Sequence, residues 1–364
     1  MVVEIGIGIT AFLVFLGMLF QGRVVFILQI IWLILISGLN TYSVDWENNF
    51  GTFQVADSNN LSQSGVFMVV YNFFAVLAKK YGMEYVEFNF ILVMISTLLI
   101  GFVVFRLTRR PSIVMSLVFI YPFIDNIIQK RWYYALGISV FGIYLSINAK
   151  SRTSRTVILL ITALIACQFH TGAVLLFTLP VYLLFTEKLQ NWITILVVLI
   201  GTLGSDRISG IINAVSGGVL ADKATLYFTT LAANSSMGHY LFWAAWQVIQ
   251  TVIIYYVYKY DSENKFVKFV WRLNVWAMCI IPLYMFDPVF TRLFRIVLIF
   301  NYVAVANSFW FNKRYEISRA GLFSLPMQIL ITGISFYVFD INSKLGIDAM
   351  IFAIFKNNQF LGLF

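Results

Sequence analysis

The chain has 364 residues, of which 60% are hydrophobic, 18% aromatic and only 11% charged. A soluble domain carries roughly twice that share of charge because its surface meets water, so this composition excludes a water-soluble globular protein. The net charge of +9 comes from Lys and Arg gathered in short clusters between apolar runs, a distribution that argues against a nucleic-acid partner.

An apolar chain of this kind has a bilayer as its solvent, where every backbone group must pair within its own segment, so the spans are expected to be helices. The alternating segments of about ten residues that mark a transmembrane barrel do not occur. The expected fold class is therefore all-α: one polytopic domain over 1–364 with about twelve transmembrane helices. Runs long enough to span are 3–20, 24–40, 88–106, 112–128, 132–149, 156–169, 171–186, 190–204, 240–258, 266–286, 292–310 and 320–339. Several fall short of the ~20 residues a straight span needs. Glu4 in place of a basic leader marks the first run as an uncleaved span. Two polar stretches, 41–64 and 205–239, form larger loops. Within the first loop region, 41–85, an amphipathic segment containing Val66, Phe67, Val70, Phe73, Phe74 and Leu77 ends in Lys79 and Lys80 and reads as an interfacial or re-entrant helix. The stretch 345–364 reads the same way. Cys167 and Cys279 fall in or beside apolar runs and are expected to pack, without a disulfide.

Orientation follows from Lys and Arg in the loops. With Arg106, Arg109 and Arg110 in the cytosol, alternation places 15 of the 25 basic residues on that side with 4 of the 16 carboxylates. Both termini then lie outside.

Basic residues on the outer side escape this bias and become informative. Four sites stand out: Gln129-Lys130-Arg131-Trp132, Gln168-Phe169-His170-Thr171-Gly172, Asp287-Pro288 with Arg292 and Arg295, and Asp206-Arg207. An ionisable group in a span is costly and usually faces the bundle interior or a wet cavity. Arg131 follows the break Tyr121-Pro122-Phe123-Ile124-Asp125; its guanidinium suits a phosphate, or an interfacial anchor, or an ion pair with Asp125. Arg292 and Arg295 are three apart and share a helical face, either as a dicationic cleft for a diphosphate or as snorkelling side chains. His170 is a candidate base or phosphate ligand, weighed against a hydrogen-bonded structural histidine. His239, opening a span, reads as structural. Asp45 and Glu47, two apart in the first loop, suit a divalent ion or a base, or are solvated loop acids. No zinc spacing, P-loop, GxGxxG or Gly-x-Ser-x-Gly motif occurs, so any chemical energy must arrive in an activated substrate.

In order and spacing, the sequence resembles the EpsG family of Wzy-type exopolysaccharide and capsule polymerases. The resemblance rests on Asp45, on Tyr71-Asn72-Phe73-Phe74 followed by Lys79-Lys80-Tyr81-Gly82, on Gln129-x-Arg131, on Phe169-His170-Thr171-Gly172-Ala173, and on Arg292 with Arg295. Phe50 stands where relatives tend to carry a tyrosine, and Gln63-Ser64-Gly65 where they carry a Glu-Pro-Gly-like step. The resemblance implies a GT-C-like glycosyltransferase in the bacterial cytoplasmic membrane, with an outward-facing site. It would join undecaprenyl-diphosphate-linked oligosaccharide repeats without a metal or other cofactor, beside membrane lipids and with a flippase and chain-length regulators as candidate partners. Under that reading Arg131, Arg292 and Arg295 grip the diphosphate, His170 deprotonates the acceptor or binds the leaving group, and Asp45 orients sugar hydroxyls. Trp132, Tyr133 and Tyr134 line the glycan path. The rival readings are a lipid-linked oligosaccharide flippase, a metal-assisted polyprenyl-phosphate-sugar glycosyltransferase built on Asp45 and Glu47, and an integral-membrane acyltransferase.

Overall fold

In lipid a helix is the one open-chain structure that leaves no backbone group unpaired, and the described chain is helical with no β-strand. The computed structural model describes residues 1–20, 22–58, 61, 67–204, 226–230, 236–309 and 318–363. The expected sites at Asp206-Arg207 and Gln63-Ser64-Gly65, and most of the loop 205–239, lie outside the described residues.

The helices are α1 (Val2–Leu19), α2 (Arg23–Gly38), α3 (Trp46–Val55), α4 (Val69–Lys80), α5 (Tyr85–Leu107), α6 (Pro111–Ile120), α7 (Phe123–Ile128), α8 (Lys130–Ile147), α9 (Arg152–Cys167), α10 (Thr178–Tyr182) and α11 (Glu187–Leu203). They continue with α12 (Met237–Tyr260), α13 (Lys265–Ala277), α14 (Arg295–Ser308), α15 (Arg319–Phe336) and α16 (Ala353–Lys356). Tight 3₁₀ turns at Thr171–Phe177, Met278–Met285 and Pro288–Phe294 extend α10, α13 and α14.

Among the described residues six helices are long and apolar enough to cross a bilayer: Val2–Leu19, Tyr85–Leu107, Met237–Tyr260, Lys265–Met285, Val289–Ser308 and Arg319–Ile341. The other expected runs are shorter or interrupted. Pro122, which lacks a backbone donor, separates α6 from the single-turn α7, so the run 112–128 is not one helix. The polar loop 41–64 contains α3, and the amphipathic segment after it contains α4.

Lipid-facing and core helices separate clearly. α1 exposes Phe12, Phe15, Leu19 and Phe20, a surface suited to acyl chains. In contrast α14 is buried along almost its whole length and forms the centre of the bundle. Bundle contacts rely on small residues and on paired polar groups, since apolar helices gain little from leaving an apolar solvent. A Cβ on Gly137 would lie 2.7 Å from Ser96 Cα, so glycine permits the backbone approach of α8 to α5. Asn274 and Asn301 exchange amide hydrogen bonds of 2.7 and 3.0 Å between α13 and α14. Gln29 on α2 donates to the Leu13 carbonyl of α1 and to Ser116 Oγ of α6.

Candidate functional site

The break between α6 and α8 sets the geometry. The single turn α7 carries Asp125, and Gln129 follows it at the start of α8; both reach α14. Arg295, at the head of α14, places Nη2 2.9 Å from Asp125 Oδ2 and donates from Nη1 to Gln129 Oε1 at 3.2 Å. Its side chain is 2% exposed. Tyr121 and the buried Asp340, from the turn that ends α15, lie within electrostatic reach of the same guanidinium. Asp125 therefore pairs with Arg295 and not with Arg131.

Arg131 turns the other way, towards α3 and α4. Its Nε donates to Asn49 Oδ1 at 3.1 Å, and Nη1 lies 3.7 Å from Met68 Sδ. Asn49 is buried and holds both sides of this contact: its Nδ2 donates to the Asp45 carbonyl at 2.7 Å and to the Ile128 carbonyl at 3.4 Å. Asp45 precedes α3, is partly buried, and accepts a 2.6 Å bond from Asn48. Glu47 is exposed on the first turn of α3. Among the described residues no group of three His, Cys, Asp or Glu side chains gathers where a metal ion could be held. Next to Arg131, Lys130 is buried, donates to the Asn40 carbonyl at 3.2 Å and stands 4.8 Å from the Trp46 ring centroid.

The start of α4 is tied to the same corner. Met68, at φ 63, precedes the helix in the left-handed conformation, and Gln168 Oε1 accepts from the Val69 and Val70 amides at 3.1 and 3.5 Å. Those amides belong to the first turn, where no intrahelical acceptor exists. Gln168 thus caps α4 from two residues before His170.

His170 packs edge-on against Trp132, with ring centroids 5.2 Å apart at 80°. Its Nδ1 accepts a 3.0 Å bond from the Gly172 amide. In a neutral imidazole one nitrogen accepts and the other donates, so this bond places the proton on Nε2. Gly172 fits closely here: an added Cβ would lie 3.0 Å from His170 Nδ1 and 3.4 Å from Leu293 Cδ2. Leu293 sits between Arg292 and Arg295 in the chain, so the turn that carries Arg292 lies near the His170 turn. Arg292 is partly buried and acts electrostatically on Asp287. Asp287 accepts a 2.7 Å bond from the Val289 amide. Burial pushes its carboxyl above the usual range, against the opposing influences of that bond, Arg292, His239 and Lys344.

Contacts and chain adjacency together link these residues. Arg131 neighbours Trp132, Trp132 meets His170, the His170 turn lies near Leu293, and Arg295 returns to Gln129, two residues before Arg131. One expectation changes. Arg292 and Arg295 do not form a matched pair: a 3₁₀ turn ends between them, leaving Arg292 partly buried while Arg295 is enclosed and neutralised by Asp125. Tyr133 and Tyr134 are almost enclosed, and of the two only Tyr134 borders an open recess, the apolar one between α4, α5, α8 and α9. They fall in the first turn of α8 and are 2% and 1% exposed; Tyr133 meets Thr97 Oγ1 at 2.8 Å and Tyr134 donates to Asn89 Oδ1 at 2.6 Å, both on α5. Trp132, also buried, backs His170.

Sequence reasoning missed Asn49 and Asp340. Asn49 carried no visible signal, because a loop asparagine is common. Asp340 was detectable as the lone carboxylate in the apolar run after Arg319.

Apolar helices that expose hydrocarbon to their surroundings and gather arginines, a histidine and amides at one end define a polytopic membrane protein with a polar site at that end. The profile of the EpsG family matches residues 23–348, and the chain belongs to that family, the family of Wzy-type polysaccharide polymerases. No curated protein and no solved structure gives a match.

Proposed function

We propose that this protein joins lipid-diphosphate-linked oligosaccharide repeats into an exopolysaccharide or capsule at the outer leaflet of the bacterial cytoplasmic membrane. In this reading the donor is a glycan on undecaprenyl diphosphate. The membrane is crossed about twelve times, the shorter helices completing the six long ones, and the Lys and Arg bias of the loops supports an outward site. A flippase and chain-length regulators are the expected neighbours in the membrane. The observation that supports the proposal is that Trp132, next to Arg131, packs on His170, that Leu293, next to Arg292, lies near the His170 turn, and that Arg295 reaches back to Gln129.

An acceptor hydroxyl attacks the anomeric carbon of the donor, the bond from that carbon to the diphosphate oxygen breaks, the lipid diphosphate leaves with the electron pair, and the proton lost by the hydroxyl is taken up by the departing diphosphate. Arg131 and Arg292 stabilise the charge that develops on it; such preorganised donors are commonly worth about 3–4 kcal/mol each. With its proton on Nε2, His170 acts as a donor to a leaving oxygen, and the fixed Nδ1 bond holds that orientation. Arg295 anchors α7 to α14 through Asp125 and keeps the Gln129–Arg131 turn in place. Asp45, held to Arg131 through Asn49, orients sugar hydroxyls. An apolar recess of ≈ 450 Å³ between α4, α5, α8 and α9, bounded by Tyr134 and Phe169, lies next to these residues and is large enough to take part of an isoprenoid tail.

The test replaces Arg131 or His170 with Ala in cells that depend on this protein for polymer. Protein levels are expected to hold while polymer disappears and single lipid-linked repeats accumulate on the outer side. Full-length polysaccharide from both variants refutes the assignment, and repeats accumulating inside the cell favour a flippase.

A further inference from the structure

At the opposite end of the bundle, a second polar feature plays no part in the proposed reaction. A cavity of ≈ 400 Å³ is lined by Lys150, Arg152, Arg155 and Arg272, and by the loop Leu183 to Thr186. No carboxylate lines it. Glu187, just beyond the loop, is engaged with Lys268 at 3.0 Å.

The three arginines come from two distant parts of the sequence, and two of them are held in place by hydrogen bonds. Arg272 donates from Nε to Gln190 Oε1 at 3.1 Å and from Nη2 to the Leu183 carbonyl at 3.3 Å. Arg155 donates from Nε to the Ser146 carbonyl at 3.2 Å. Glu187 attracts Arg272 from beyond the hollow, while Arg155 and Arg152 are close enough to repel it. The positive-inside bias accounts for basic residues in these loops. It does not require like charges to be hydrogen-bonded into a common hollow, where their mutual repulsion opposes folding.

Two helix starts meet the same hollow. Ser151 caps α9 by accepting from the Ser154 amide, and Thr186 caps α11 by accepting from the Leu189 amide. Both residues line the cavity, and the positive end of a helix dipole adds to the field that the guanidinium groups create. Leu184 and Phe185, exposed beside the charges, give the rim an apolar lip.

We propose that this cavity binds a phosphate group of an anionic ligand. Guanidinium forks fit phosphate oxygens in two-point contacts, and an anion there relieves the repulsion among the arginines. The phosphate can belong to the headgroup of an acidic phospholipid, whose chains would lie along Leu184 and Phe185, or to a soluble phosphate compound. On the loop-charge orientation the cavity faces the cytosol.

The test uses the purified full-length protein in neutral detergent. Retention of phosphatidylglycerol against phosphatidylcholine is measured by native mass spectrometry, and inorganic pyrophosphate is titrated by thermal shift. Three proteins are compared: wild type, a cavity pair (Arg152→Gln with Arg155→Gln), and a control pair that removes the same charge outside the cavity (Lys188→Gln with Lys265→Gln). The wild type and control pair are expected to bind alike, and the cavity pair at least ~10-fold more weakly, since charge-assisted hydrogen bonds are lost. Selective retention of phosphatidylglycerol identifies a lipid headgroup, and a pyrophosphate shift identifies a soluble ligand; either supports the proposal. Equal loss in the control pair, no loss in the cavity pair, or no binding of either probe by the wild type overturns it.

Discussion

Replacing Arg295 with Gln is expected to cost far more than replacing its partner. Arg295 is 2% exposed and holds Asp125 at 2.9 Å, with Asp340 also buried within its reach. Removing the guanidinium leaves the enclosed Asp125 without the cation it pairs with, and breaking a buried pair from one side typically costs about 3–5 kcal/mol. Asp125→Asn leaves Arg295 with Gln129 Oε1 as a remaining acceptor and an amide oxygen in place of the carboxylate, so its cost should fall below that range. The double variant Asp125→Asn with Arg295→Gln removes both members and should recover much of the loss, since contacting residues show coupling energies of roughly 0.5–3 kcal/mol. Thermal stability in detergent, read from the monodisperse peak after heating, measures the three variants; polymer made in cells measures function. Arg295 as an anchor requires that the double variant regain both stability and polymer. A double variant that is stable yet makes no polymer refutes the anchoring role and returns Arg295 to direct contact with the diphosphate.

Other outcomes follow from single contacts. Gln168→Ala uncaps α4, a loss of about 1 kcal/mol by analogy with N-caps, so hydrogen exchange over 69–72 should quicken roughly fivefold; unchanged exchange contradicts the cap. Gly172→Ala forces a Cβ to 3.0 Å from His170 Nδ1 and 3.4 Å from Leu293, and overpacking of this kind costs typically about 1–3 kcal/mol. Polymer yield should fall with protein level maintained, and normal yield would show that the turn is not constrained. Burial raises the Asp287 carboxyl in the folded state, so the folded protein holds its proton more tightly than the unfolded chain does. The resulting stability is complete below the ordinary carboxyl range, about pH 4, and is lost as pH rises through the raised value. Melting temperatures of Asp287→Asn should therefore decline less than those of the wild type above about pH 4; parallel curves contradict the burial.

The fold was legible where the physics is one-dimensional. Apolar runs marked α1, α2, α5 and the long late helices, because hydrocarbon surface and backbone pairing are properties of each segment alone. The amphipathic pattern ending in Lys79-Lys80 located α4, and Lys79 does meet the end of α3 through the Gln54 and Ala56 carbonyls. α3 itself was not foreseen, since Trp46–Val55 has a weak periodicity and its position depends on the tertiary bonds of Asn49. Arg131 and His170 drew attention as polar residues in apolar surroundings. The pairing of Asp125 with Arg295, 170 positions apart, was invisible because charge complementarity in sequence does not choose among several arginines. The surroundings of Tyr133 and Tyr134 were not legible for a related reason: an aromatic near a helix start packs inward or faces a cavity according to its neighbours, here Thr97 and Asn89.

The most direct measurement is a structure of the protein with a lipid-linked diphosphate sugar bound, in which the two phosphorus positions are located. They should lie within hydrogen-bonding reach of Arg131, Arg292 and the Nε2 of His170, with the lipid entering between α4, α5, α8 and α9. Phosphates found elsewhere on the molecule, with these three side chains unengaged, would contradict the polymerase mechanism at its centre.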